Sequence, residues 1–88
     1  MDTATIAAIA TPAGMGGVGM VRLSGVEAPE IAARVFRLGK RGSAPDLRRT
    51  QSHRLLYGRV VDPETEEMID EVLLAWMAAP KTYTREDT

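Results

Sequence analysis

The sequence predicts an α+β fold: a mixed β-sheet with one helix packed on one face. Three observations carry it. Two short apolar runs near the start are joined by a glycine-rich link. Ala28, Ile31, Ala32, Val35 and Phe36 then repeat at i, i+3, i+4, i+7 and i+8, the stripe of an amphipathic helix. Two later apolar runs are joined by a short acidic turn, the pattern of a hairpin.

Residues 3–10, Thr-Ala-Thr-Ile-Ala-Ala-Ile-Ala, read as a first strand. Both of its faces are apolar, which predicts burial. Residues 18–24 alternate apolar with polar and read as a second strand, closed by Ser24-Gly25. Residues Glu27 to Leu38 read as a helix. Pro29 falls in its first turn, Glu27 and Glu30 lie at its N-terminal end, and Arg34 and Arg37 at its C-terminal end, as the helix dipole favours. Gly39 is the expected stop.

Residues 39–53 have no period and read as a mobile surface loop. The loop is locally basic, with Lys40, Arg41, Arg48 and Arg49 against Asp46. A phosphate contact and a solvated loop both fit, and the absence of interleaved aromatics argues against nucleic acid. Residues 55–61 read as a strand and 62–66 as a turn. Residues 68–78 contain good helix formers, but the short turn and the all-round apolar character of 72–79 favour a strand, placed centrally in the sheet. The acidic run Asp62 to Glu71 reads as a solvated turn and strand start, since it lacks the spacing of a calcium loop.

Length and composition bound the function. At 88 residues the chain is one domain, residues 1–88. A chain of this size buries only roughly 60% of its extended surface, so a thin core with one Phe, one Trp and two Tyr predicts marginal stability. The net charge of −1 gives no overall basic field for nucleic acid. With no cysteine and one histidine, His53, disulfides and thiolate metal sites are excluded, and no metal ligands are expected. No apolar run is long enough to span a bilayer, and Asp2 argues against a signal peptide, so the cytoplasm is expected. The ending at Ala79 to Thr88, without turn or cap, predicts a domain cut short at its C-terminal side.

Residues Thr11 to Gly25 hold five glycines and Arg22. Gly14, Gly16 and Gly19 match the G-x-G-x-x-G spacing of a dinucleotide loop. That loop requires a helix at its last glycines, and here a strand is expected instead. No Gly-Lys-Ser/Thr follows, so it is not a phosphate-binding Walker loop either. A tight strand connection and a cradle of exposed amides for a ligand both fit these glycines. On its residue type alone, Arg22 reads as a surface arginine in a salt bridge.

The order of these pieces resembles a family. Thr5-Ile-Ala-Ala-Ile-Ala-Thr-Pro-Ala-Gly-Met-Gly-Gly-Val-Gly-Met-Val-Arg-Leu-Ser-Gly25 is similar to the opening of the N-terminal domain of the MnmE (TrmE) tRNA-modification GTPases. Tyr57-Gly-Arg-Val-Val-Asp62, Ile69-Asp-Glu-Val72 and Pro80-Lys-Thr-Tyr-Thr-Arg-Glu-Asp87 resemble three further segments of that family in the same order. The chain departs from the family pattern at Ala13, at Met15 in place of arginine, and at Arg85 in place of glycine.

The resemblance implies a fold like the folate-binding part of aminomethyltransferases. It also implies binding of a one-carbon tetrahydrofolate, formyl or methylene, and homodimerisation. The whole protein would hydrolyse GTP, with GTP, potassium and magnesium held in a separate G domain. Together with the flavoprotein MnmG (GidA) it would modify the wobble uridine of tRNA. Arg22 corresponds to a family folate contact, with Gly16, Gly17 and Gly19 shaping the pocket through their backbones; the family's glutamate contact falls beyond Thr88. The basic loop is a candidate for the folate tail. This segment is expected to have no catalytic residues or metal site of its own. The alternative is an assembly module that has lost folate binding, favoured by Met15 and Arg85.

Overall fold

The computed structural model describes residues 4–9, 19–80 and 85–88. Its elements in order are β1 (Ile6–Ile9), β2 (Val21–Ser24), α1 (Ala28–Val35), β3 (Phe36–Leu38), a short 3-10 turn (Leu47–Arg49), β4 (Arg54–Val61) and β5 (Met68–Trp76). They form a small α/β domain with one helix and two sheets among the described residues, β1-β2 and β3-β4-β5. Every strand pair in both sheets is antiparallel. The expected single mixed sheet is therefore replaced by two antiparallel ones.

The early strands lie within the expected ranges. They pair Ile6 with Ser24 and Ile9 with Val21. Burial of the first strand is not observed: all four residues of β1 are exposed, Ile9 at 78%. β2 is its partner within the sheet, and the sheet's faces are not closed over β1. Gly25 ends β2 at φ 142, where a Cβ would stand 2.6 Å from Thr5 Cα. Glycine is required there by both the backbone angle and the close approach.

The helix begins as expected. The backbone amide of Glu27 donates to Thr5 Oγ1 at 3.0 Å, and Pro29 lies in the first turn. It ends earlier than its apolar stripe suggests. Phe36 adopts φ −108 and ψ 137, and Phe36–Leu38 pair with β4, Phe36 opposite Val60 and Leu38 opposite Gly58. Phe36 lies on the helical stripe, but the buried place for its ring is over Gly58, and strand pairing there overrides helix propensity. Arg37 serves the helix end from the strand: its Nη1 donates to Ala33 O and to Phe36 O, both at 2.9 Å. Ala33 O is among the carbonyls that a helix end leaves unsatisfied. Gly39, at φ 57, opens the turn after β3 rather than stopping the helix.

β4 and β5 form the expected hairpin, with a register shift at Val60/Val61. Its turn is held by Asp62, whose carboxylate accepts from the Glu64 amide at 2.8 Å while its own amide donates to Glu67 O at 2.9 Å. β4 occupies the middle of the sheet and β5 its edge, the reverse of the central placement expected for 68–78. One face of β5 is also open, where Leu73 is 65% exposed. The core gathers Ala28, Phe36, Leu47, Val61 and Trp76.

Arg37 also grips Glu66 through two hydrogen bonds, 2.9 and 2.7 Å. These bonds, reinforced by the charge of Arg37, hold the Glu66 carboxyl below its ordinary value of 4.5. A carboxylate whose folded pKa is depressed adds stability above its unfolded pKa and loses it as pH falls through the folded value. The melting temperature of the native chain should therefore exceed that of Glu66→Gln at neutral pH, with the gap closing as pH drops below the unfolded value. A gap that persists at pH about 2, well under the ordinary carboxylate range, would refute this account of the pair.

Candidate cofactor-binding site

The site expected from the sequence centres on Arg22 and the glycine link. Gly16 and Gly17 lie outside the described residues, as do Gly14, Ala13 and Met15. Gly19 is exposed, and a Cβ built on it would meet none of the described residues within 4 Å. Arg22 is exposed on β2, opposite Ala8. Strand alternation puts Arg22 and Ser24 on the same face, with their Cα atoms about 6–7 Å apart.

That face gains a neighbour from the far end of the chain. Ser24, 8% exposed, donates through Oγ to Glu86 Oε2 at 3.0 Å. The Gly25 amide donates to Asp87 O at 2.9 Å. Met77 and Thr88 exchange backbone hydrogen bonds of 2.8 and 2.9 Å, so residues 85–88 are fastened both to the end of β2 and to the chain just after β5. Arg85 enters this segment at φ 61, the left-handed conformation that glycine adopts at least cost.

Asp87 is the centre of the fastening. Its Oδ1 accepts from the Ala79 amide at 2.9 Å and its Oδ2 from Arg48 Nη1 at 3.2 Å. Arg48 in turn donates from Nε and Nη2 to both oxygens of Glu30, at 3.0 and 2.9 Å, and from Nη2 to Val26 O at 2.6 Å. The Glu30 hydrogen bonds, followed by that to Asp87, raise the Arg48 pKa and hold its charge in place.

The basic loop is thus only partly what its composition suggests. It is anchored by Leu47, 2% exposed, and Arg48 is engaged in bracing rather than turned to a ligand. Arg49 lies 3.6 Å from Asp46. The turn carrying Lys40 and Arg41 is pinned by Arg59, which donates to Gly39 O at 2.8 Å and Gly42 O at 3.0 Å. Sequence reasoning passed over Ser24, Glu86 and Asp87. The signal available was the acidic pair closing the Pro80 to Asp87 motif, but its partners lie 62 residues away in the case of Ser24 and 39 in the case of Arg48.

Chemically, the face carries the Arg22 guanidinium and, two residues along β2, the Ser24 hydroxyl hydrogen-bonded to the Glu86 carboxylate. Such a set suits a ligand with both acceptor and donor edges. Among the described residues there is no group of acidic or histidine side chains able to hold a metal ion.

A family model described as GTP-binding protein TrmE N-terminus matches residues 5–88. The chain belongs to the TrmE N-terminal family. Among its relatives, a tRNA modification GTPase MnmE of Streptococcus agalactiae is 55% identical over 94% of this chain and 17% of its own length. The MnmE of Enterococcus faecalis is 49% identical over 99% of this chain and 18% of its own. That of a Thermoanaerobacter species is 53% identical over 94% and 17%. This TrmE-type chain therefore spans less than a fifth of the length of the curated relatives it matches. Among its described residues, no helix is long and apolar enough to cross a membrane.

Proposed function

We propose that this chain is the one-carbon-tetrahydrofolate-binding and dimerisation part of a tRNA-modification GTPase. It would act in the cytoplasm with MnmG on the wobble uridine of tRNA. The observation that carries the folate reading is Arg22, exposed on the β2 face next to the Ser24–Glu86 pair, in a chain about half identical to MnmE relatives. A formyl- or methylene-tetrahydrofolate carries carboxylates, amide carbonyls and a pterin edge rich in acceptors, and a planar guanidinium meets these with several donors at once. In this reading the folate supplies the carbon unit, and the chain's own residues bind and orient it. Gly16, Gly17 and Gly19 would line the approach with backbone amides. The sequence lacks a Gly-Lys-Ser/Thr phosphate loop, so GTP, potassium and magnesium belong to another part of the whole protein.

Calorimetric titration with formyl-tetrahydrofolate tests the reading. The native chain should bind, and Arg22→Ala should weaken binding by roughly tenfold or more, the usual effect of losing a hydrogen bond to a charged group. Equal binding by the two would remove Arg22 from the site.

A second reading, an assembly module without folate binding, is favoured by the open apolar strand faces. Ile9 and Val21 are paired at 78% and 69% exposure, and Leu55 and Leu73 stand at 66% and 65%. Exposed apolar patches are one mark of a protein–protein interface. A native chain that dimerises by size exclusion yet fails to bind folate would favour it.

A further inference from the structure

We propose that Arg48 is a positioning residue for the Arg22 face, acting through Asp87 and Glu86. For its ligand arm the inference rests on the folate reading.

Residues 85–88 reach β2 at two points, Ser24 Oγ to Glu86 and the Gly25 amide to Asp87 O. Neither contact fixes the segment against the helical side of the domain. Arg48 does so, because one guanidinium spans Glu30 on α1, Val26 O before α1 and Asp87. The 3-10 turn that carries Arg48 is itself fixed by buried Leu47. The chain of contacts Leu47, Arg48, Asp87, Glu86, Ser24 therefore runs from the core to the strand face bearing Arg22.

An isolated exposed ion pair would carry little weight. Here the Asp87 side chain is only 17% exposed and also accepts from the Ala79 amide. Removing Arg48 leaves that carboxylate without its cation. It frees the segment to move relative to α1, and with it the Glu86 carboxylate that is hydrogen-bonded to Ser24, two residues along β2 from Arg22. A site of this kind responds to small displacements of its supporting residues.

The test uses the 88-residue chain in four forms: native, Arg48→Met, Arg48→Lys and Arg37→Met. Arg37→Met removes a comparable arginine network, that with Glu66, away from β2. Formyl-tetrahydrofolate binding is read by calorimetry, and hydrogen exchange is read at the Gly25 and Ala79 amides without ligand. Arg48→Met should exchange about tenfold faster at both amides and bind about tenfold more weakly. Arg48→Lys, which keeps a charged donor for Asp87, should recover part of both. Arg37→Met should lower the melting temperature while leaving both readouts near native.

If Arg48→Met binds as tightly as the native chain, or if Arg37→Met weakens binding equally, the positioning role is overturned while the folate reading stands. If the native chain does not bind, the folate reading falls together with the ligand arm. The exchange rates then still decide whether Arg48 fastens the segment.

Discussion

Phe36→Ala should lower the stability of this chain by roughly 3–5 kcal/mol, the range for truncating a fully buried phenylalanine. Phe36 is 1% exposed, and Phe36 and Val61 are the largest of its fully buried side chains. Domains of this size have total stabilities of roughly 5–15 kcal/mol, so the loss takes a large share. The effect is large because Phe36 joins two things: it is the first residue after α1 and the first of β3. Truncating it leaves a cavity between helix and sheet, and the short strand that follows has only three residues with which to hold its register. Urea titration followed by the fluorescence of Trp76, 4% exposed and the only tryptophan, would measure it. The midpoint should fall with the slope unchanged. A loss below about 1 kcal/mol would mean that the site collapses around the missing ring and that Phe36 is not the joint between α1 and β3.

Gly58→Ala should be nearly as damaging, for the opposite reason. A Cβ at Gly58 would stand 2.1 Å from Arg37 O, 2.5 Å from Phe36 Cζ and 2.8 Å from Phe36 Cε2. The ring has some freedom to move, but the carbonyl belongs to the paired strand β3. Relief requires β3 to separate from β4, so the cost should reach or exceed the upper end of the roughly 1–3 kcal/mol usual for overpacking. Adding Phe36→Leu to Gly58→Ala should not restore stability, because the clash with Arg37 O remains. Gly19→Ala supplies the contrast: with no described residue within 4 Å of its Cβ, it should change stability by no more than about 0.5 kcal/mol. A double variant as stable as Phe36→Leu alone would show that the ring, not the backbone, makes position 58 intolerant.

The hairpin of β4 and β5, the helix start at Pro29 and the turn at Asp62 were legible because each rests on local chemistry: alternation, first-turn proline and turn residues. The helix end was not legible. The stripe that includes Val35 and Phe36 fits a helix, and only the space above Gly58 assigns Phe36 to a strand. The edge position of β5 was likewise hidden, since an apolar run reads the same whether a neighbour covers it or not. At the candidate site, Arg22 stood out through its motif. Asp87, Glu86 and Arg48 did not, because a loop arginine and a terminal acidic pair are ordinary surface residues until the fold joins them.

By itself, then, the sequence determined a small domain that combines one helix with β-strands, the order of most strands and the family, because these follow from short-range periodicity and ordered motifs. Tertiary structure alone decided the split into two antiparallel sheets, the conversion of Phe36–Leu38 to strand, and the fastening of residues 85–88 to β2. Each of these depends on contacts between residues distant in sequence, Phe36 with Gly58 and Ser24 with Glu86 among them. Their free energy arises only when the chain has closed the intervening loop, so no local pattern records them.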